Sequence, residues 1–279
     1  MRFAPGIVVV DSTFLKDLKR PDSIAKIEAA CRVAHLEIAP SVPNVLEALK
    51  HTDFTIRREL LDGIRRWTKT RPLNPWPMAL LHLAGRALPA TEFSIGRTQM
   101  DRLVAHSEEL QADHEKAIRF LDGLQADFIR VYEENRPDVQ RTLKLTKQKY
   151  AWQDVGSFLA SPDWASRDNL SHLAGILWRM AKLPGSPPDL DIVHRSEVWR
   201  IAMDAIGAAT YVHSVKPDRI PNPPGFVDLM QLLYLSGHTR ARILVTDDGS
   251  FYQTATELLR GRYVNVRVLR GAEFLDQVA

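Results

Sequence analysis

The sequence predicts a mixed α/β fold, with a parallel sheet built from both chain ends and an all-helical block between them. Three observations lead there. Residues 7–10 are a short, continuously apolar run, as strands buried on both faces are, and 242–246, with Ile243, Leu244 and Val245 at its centre, reads as a second strand. Each runs into aspartate, at Asp11 and at Asp247-Asp248. The middle of the chain shows helical 3/4 spacing and no strand-like run.

From the N-terminus, strand 7–10 precedes a helix expected over 12–34. A second strand, 36–39, runs into Pro40-Ser41-Val42-Pro43, where prolines suit a loop and a helix start. The next helix carries Val45, Leu46 and Leu49. After a break near Thr52 it is followed by another with Ile56, Leu60, Ile64 and Trp67. Residues 71–77 hold three prolines and read as a linker. A long helix is expected over 98–135, where Met100, Leu103, Leu110, Ala117, Leu121, Leu124, Phe128 and Val131 make a seam. Shorter helices are expected near 137–150, 166–182 and 195–213, with loops at 183–189 and 216–225. The chain then returns to α/β: helix 226–237, strand 242–246, helix 251–259, strand 263–269 and a last helical turn at Phe274 and Leu275. Residues 1–72 and 217–279 would form one discontinuous domain, and 73–216 a helical insertion.

The composition narrows the class. The 279 residues are 45% hydrophobic and 25% charged, as in a globular domain, which excludes a disordered or fibrous chain. No apolar run reaches the roughly 20 residues of a membrane span, and the opening apolar run is too short for a signal peptide. Cys31 is the single cysteine, so neither an internal disulfide nor a cysteine zinc site forms. A reducing cytoplasm is the expected compartment. Residues 1–72 hold 13 basic and 9 acidic side chains, a local excess of positive charge that hints at a polyanion.

Acids that end parallel strands collect at one edge of the sheet, where ligands of open α/β folds bind. Carboxylates gathered there repel one another unless a cation lies between them, and hard divalent ions prefer oxygen donors. The bland alternative is that each aspartate caps the helix that follows it. Four segments tip the balance: VVVDSTFL, IAPSVPNVLEAL (38–49), GFVDLMQLLYLSG (225–237) and ILVTDDGSF (243–251), in this order. Together they resemble the PIN-domain nucleases. Asp11-Ser12 match that family's strand-end Asp and hydroxyl residue, and Ser41 with Glu47 match its Ser and helical Glu. Asp228 matches its helix-start Asp. Thr246, Asp248 and Phe251 match its T-x-D-x-D-F motif, with Asp247 in the variable slot. Thr13 stands where the family often has Asn, and Ser250 where a further Asp is common.

The resemblance implies a parallel α/β/α sandwich and a metal-dependent nuclease, an endoribonuclease in first place, of the kind found among bacterial toxins and defence systems. Asp11, Glu47, Asp228 and Asp248, joined by Asp247, would hold one or two Mg²⁺ or Mn²⁺ ions that activate water for attack on phosphorus. Ser12 and Thr246 would orient these carboxylates. The partner implied is nucleic acid, RNA ahead of DNA, with room for a protein inhibitor or a second copy of the chain. Arg58, Arg65 and Lys69 lie opposite the apolar stripe of helix 56–69 and are candidate phosphate contacts, with Arg57, Arg66 and Arg71 widening the basic surface. Lys144 and Lys147, within a basic run at 141–149, are a second candidate set. Two alternatives stand beside this reading: a non-catalytic scaffold whose helices bind a protein, and a DNA-directed nuclease.

Overall fold

The computed structural model describes residues 6–17, 21–49, 51, 53–68, 77–85, 141, 144–145, 147–149, 154–180, 185–215, 226–237 and 241–278. The helix expected over 98–135 and the loop at 216–225 lie outside these residues. Four strands, β1 (Gly6–Val10), β2 (Leu36–Ile38), β3 (Arg242–Val245) and β4 (Val266–Leu269), form one all-parallel sheet in the order β2-β1-β3-β4. The central strand β1 pairs with β2 from Gly6↔Leu36 and with β3 from Ile7↔Arg242 to Val10↔Val245. The chain leaves β1 to one side for β2 and returns to the other side for β3. Strands β1 and β3 therefore flank a topological switch point, and their carboxyl ends open a crevice there.

Side chains alternate across the two faces, and helices cover both. Val8, Val10, Ile243, Val245 and Leu269 pack with Ile24 and Ile27 of α2 (Pro21–Val33), Val45 of α3 (Val42–Leu49), Leu60 and Ile64 of α4 (Phe54–Trp67), and Phe14 of α1 (Ser12–Asp17). Val9 and Leu244 face the other way, into a larger core. It holds Leu81 of α5 (Pro77–Gly85), Phe158 of α6 (Val155–Leu159), Trp164 of α7 (Pro162–Ala165) and Trp178 of α8 (Arg167–Met180). It continues through Val193 of α9 (Leu190–Arg195) and Trp199 and Tyr211 of α10 (Glu197–Val215). The described helices of segment 73–216 thus share one core with the sheet. Among the described residues, no helix is long and apolar enough to cross a membrane.

Several boundaries differ from the sequence reading, each for a local reason. The helix expected over 12–34 is two helices, the second opening at Pro21, whose missing N–H suits a first turn. Pro77 closes the expected linker but opens α5. The stretch 226–237 divides into α11 (Phe226–Met230) and a 3-10 turn, Gln231–Leu235. Strand β4 starts three residues later than expected. Arg262 and the Tyr263 hydroxyl both donate to the buried Asp204, and Asn265 takes a left-handed turn at φ 58°, a conformation that Asn tolerates. The final turn is a full helix, α13 (Gly271–Val278), which follows α12 (Gly249–Leu259) and β4. Cys31 is buried, and burial pushes its thiol up to about 12, so it packs as a small apolar group.

At the amino edge of the sheet a buried ion pair fastens α10 to β3. Arg242 donates to Glu197 Oε1 at 2.8 Å and to the Leu235 carbonyl at 2.9 Å, while Glu197 Oε2 accepts from the Gly237 amide at 2.7 Å. Burial pushes the Glu197 carboxyl up, but the Gly237 amide and the Arg242 guanidinium outweigh it and hold the group below the usual carboxylate range. A lowered folded value means the pair's stability is present above the unfolded value of about 4.3 and is lost as pH falls through the folded value. Glu197→Ala leaves a buried guanidinium without its partner and is expected to cost about 3 kcal/mol near neutral pH. Glu197→Gln should flatten the loss of stability below about pH 4.3. Urea unfolding across pH 3–7 measures both effects, and an unchanged acid limb in the Gln variant contradicts the assignment.

Candidate active site

Asp11 directly follows β1 and is buried at the switch point. Two hydroxyls donate to its Oδ2: Thr13 Oγ1 at 2.6 Å and Thr246 Oγ1 at 2.9 Å. Each hydroxyl has one proton to give, and both protons go to Asp11. The 3.3 Å contact between Thr13 Oγ1 and Thr246 Oγ1 is therefore a consequence of the shared acceptor. The same hydroxyls accept from backbone amides beyond β3. Asp247 N lies 3.2 Å and Asp248 N 3.3 Å from Thr13 Oγ1, and Asp248 N lies 3.1 Å from Thr246 Oγ1. The loop after β1 is thereby locked to the loop after β3. The two hydroxyls that donate to the Asp11 carboxylate thus also accept from the Asp248 backbone amide.

The remaining acids take distinct positions. Asp248 caps α12, its Oδ1 accepting from Phe251 N at 2.7 Å. Asp247 turns to the neighbouring strand end, where its Oδ1 accepts from Gly271 N at 2.9 Å. A Cβ at Gly271 would stand 2.6 Å from Asp247 Oδ2 and 2.7 Å from the Phe14 ring, so only glycine allows this approach. Glu47 and Asp228 are half-buried, on α3 and α11. Each lies three residues from a carboxamide that touches the β1 end. Asn44 donates to the Val10 carbonyl at 2.9 Å and accepts from Ser41 N and Oγ, and Gln231 Nε2 lies 3.4 Å from Asp11 Oδ1. Spacing of i and i+3 places each acid on the same helix side as its neighbour carboxamide. Among the described residues, no group of three or more His, Cys, Asp or Glu is placed to hold a metal ion.

Of the other sequence candidates, Thr246 is fully buried in this network. Ser12 opens α1, and its side chain lies outside the described residues. Arg58 and Arg65 are exposed on α4, Lys144 and Lys147 are exposed on a helical stretch, and Lys69 lies outside the described residues. Arg57, expected on the basic surface, is instead buried, where its guanidinium donates to the His51 carbonyl. Lys149 pairs with Asp163 at the start of α7.

The sequence reading missed four contributors. Thr13 entered it only as a departure from a family pattern, and it is the hub. Asn44 and Gln231 carry no motif, although each sits one turn from a named acid. Arg270 donates to the Asp247 carbonyl at 2.7 Å and stacks 4.2 Å over the Tyr252 ring, which sets a positive charge at the acidic edge. No family model, curated protein or solved structure matches this chain.

Thr13→Val removes a proton donor to a buried carboxylate and the acceptor of two amides. It is expected to lower stability by about 2 kcal/mol, read by chemical denaturation, with Thr13→Ser restoring most of it. Equal stability of the Val variant and the parent would show that the hydroxyl is not the hub.

Proposed function

We propose that this chain is a PIN-like, Mg²⁺- or Mn²⁺-dependent phosphodiesterase acting on RNA. The observation that supports it most is the lock between Asp11 and the Thr246–Asp248 segment at the switch point, made by two threonine hydroxyls. A role for Asp248 as helix cap alone does not explain why a buried aspartate from another strand is fixed beside it.

The donor chemistry fits a hard divalent ion. The side chains meeting at the edge offer carboxylate, hydroxyl and carboxamide oxygens, with no thiol. Mg²⁺ usually takes only one or two carboxylates directly and completes its shell with waters and substrate phosphate. Waters and substrate phosphate would therefore supply the remaining ligands around the carboxylates at this edge. Asp11 and Asp248 would be the direct carboxylates, and Glu47 and Asp228, one turn back on their helices, would act through water. The ion, when bound, acidifies a water and neutralises charge on the phosphoryl oxygens.

The chain's own residues do the rest. Thr13 and Thr246 fix the Asp11 carboxylate, so no reorientation is needed when a phosphate arrives. Asp248 is held by its own helix cap. Arg270, anchored on the Asp247 carbonyl, offers its guanidinium to a phosphate beside the edge. Arg58 and Arg65 add positive charge on the exposed face of α4, and Lys144 and Lys147 are a second basic surface for the strand.

Cleavage of labelled single-stranded RNA and DNA in Mg²⁺, Mn²⁺ or EDTA tests the reading. RNA cleavage is expected with either metal and none with EDTA. Asp11→Asn should abolish it while keeping the fold. The substituted carboxamide oxygen can still accept both hydroxyls, and its NH₂ can donate to the Gln231 carbonyl, so stability is expected to hold or rise. Cleavage that persists in EDTA or in Asp11→Asn overturns the reading. A folded protein that cuts neither nucleic acid supports a scaffold.

Replacing Lys144 and Lys147 with Glu should weaken RNA binding and lower the slope of log K against log salt by roughly one for each phosphate no longer neutralised. An unchanged slope assigns phosphate binding to Arg58, Arg65 and Arg270 instead.

A further inference from the structure

Gln231 presents an unusual combination. It is 4% exposed, its Nε2 lies 3.4 Å from Asp11 Oδ1, and its Oε1 is buried with no hydrogen-bond partner. The donor contact is long for an N–H···O bond, whose usual range ends near 3.2 Å. A buried carbonyl without a partner costs about 1–3 kcal/mol, and a Leu would fill the same space without that cost. The residue begins the 3-10 turn that follows α11, one turn after Asp228, and the turn packs against β1. A carboxamide turned end for end keeps its shape and brings Oε1 to Asp11 Oδ1. Two oxygens facing each other repel, unless a cation lies between them. A carbonyl oxygen is a suitable ligand for Mg²⁺ or Mn²⁺.

We infer that Gln231 is a metal ligand of this site, its Oε1 joining Asp11 Oδ1 on one divalent ion. The inference rests on the metal-dependent reading above and adds to it a neutral donor that the acidic motifs do not contain. A neutral ligand holds the ion without adding negative charge to an edge that must also accept a phosphate. The carboxamide has two orientations toward Asp11: with its NH₂ it makes a weak hydrogen bond, and with its Oε1 it would offer a ligand to a cation.

The test is Mn²⁺ binding to the full chain, followed by the loss of the free-ion paramagnetic resonance signal, with no substrate present. Four proteins are compared: the parent, Asp11→Asn, Gln231→Leu and Gln231→Glu. The parent is expected to bind and Asp11→Asn to lose binding. Gln231→Leu should weaken binding by about tenfold or more, and Gln231→Glu should restore it. Thermal melts without metal control for folding, and Gln231→Leu should melt no lower than the parent, since it removes an unpartnered carbonyl. If Asp11→Asn loses binding while Gln231→Leu binds within twofold of the parent, Gln231 is not a ligand and the metal-dependent reading stands. If the parent does not bind Mn²⁺, both are overturned. If Gln231→Leu weakens binding and Gln231→Glu fails to rescue it, the side chain acts through packing, and the ligand assignment is overturned.

Discussion

One hydroxyl holds the carboxyl edge of this sheet together. Thr13 Oγ1 gives its proton to Asp11 and takes the amide protons of Asp247 and Asp248. It thereby ties the loop after β1 to the loop after β3, which otherwise belong to distant parts of the chain. A hydroxyl is suited to this, because it can donate once and accept twice. A valine of the same shape can do neither. Thr246 repeats the arrangement from the other side, so Asp11 is gripped by one hydroxyl from each loop.

This lock forms because the sheet order sets β1 beside β3. With β2 on the far flank and β4 beyond β3, the chain reverses direction across the sheet between its two central strands, and both strands end in acids at that reversal. The helices on the two faces then deliver side chains to the same edge. Asn44 pins α3 to the last carbonyl of β1, and Gln231 reaches Asp11 from the turn after α11. Gly271 lets the end of β4 come close enough to take Asp247. At the opposite edge, Arg242 and Glu197 couple β3 to α10. The central helices are thereby part of the same folded unit that positions the acids.

Strands β1 and β3 are legible in the sequence because burial on both faces leaves a continuous apolar run, and Asp follows each, directly after Val10 and one residue beyond Val245. The shared core of the central helices and the sheet was not legible, since an apolar helix seam does not say what it packs against. The alternation of Val264, Val266 and Val268 predicts a longer β4 than the structure forms. Only the structure shows Arg262 and Tyr263 committed to Asp204 on α10 and Val264 left 75% exposed. At the edge itself, aspartates stand out in a sequence because charge after an apolar run is conspicuous. Thr13, Asn44 and Gln231 do not stand out, because uncharged polar residues are ordinary in loops and helix starts. Their significance lies in contacts such as 13 to 246 and 231 to 11, which bridge more than two hundred residues. Asp247 stands out in the same way, but its contact with the Gly271 amide at the start of α13 is not visible in the motif.

The proposal that this edge is a divalent-ion site is tested most directly by the anomalous signal of Mn²⁺ in crystals of the protein. The expected result is a peak at the crevice between β1 and β3, with an Asp11 oxygen at about 2.0–2.6 Å. A well-ordered Asp11 and Asp248 with no peak between them at saturating Mn²⁺, or a peak only elsewhere on the molecule, would contradict it.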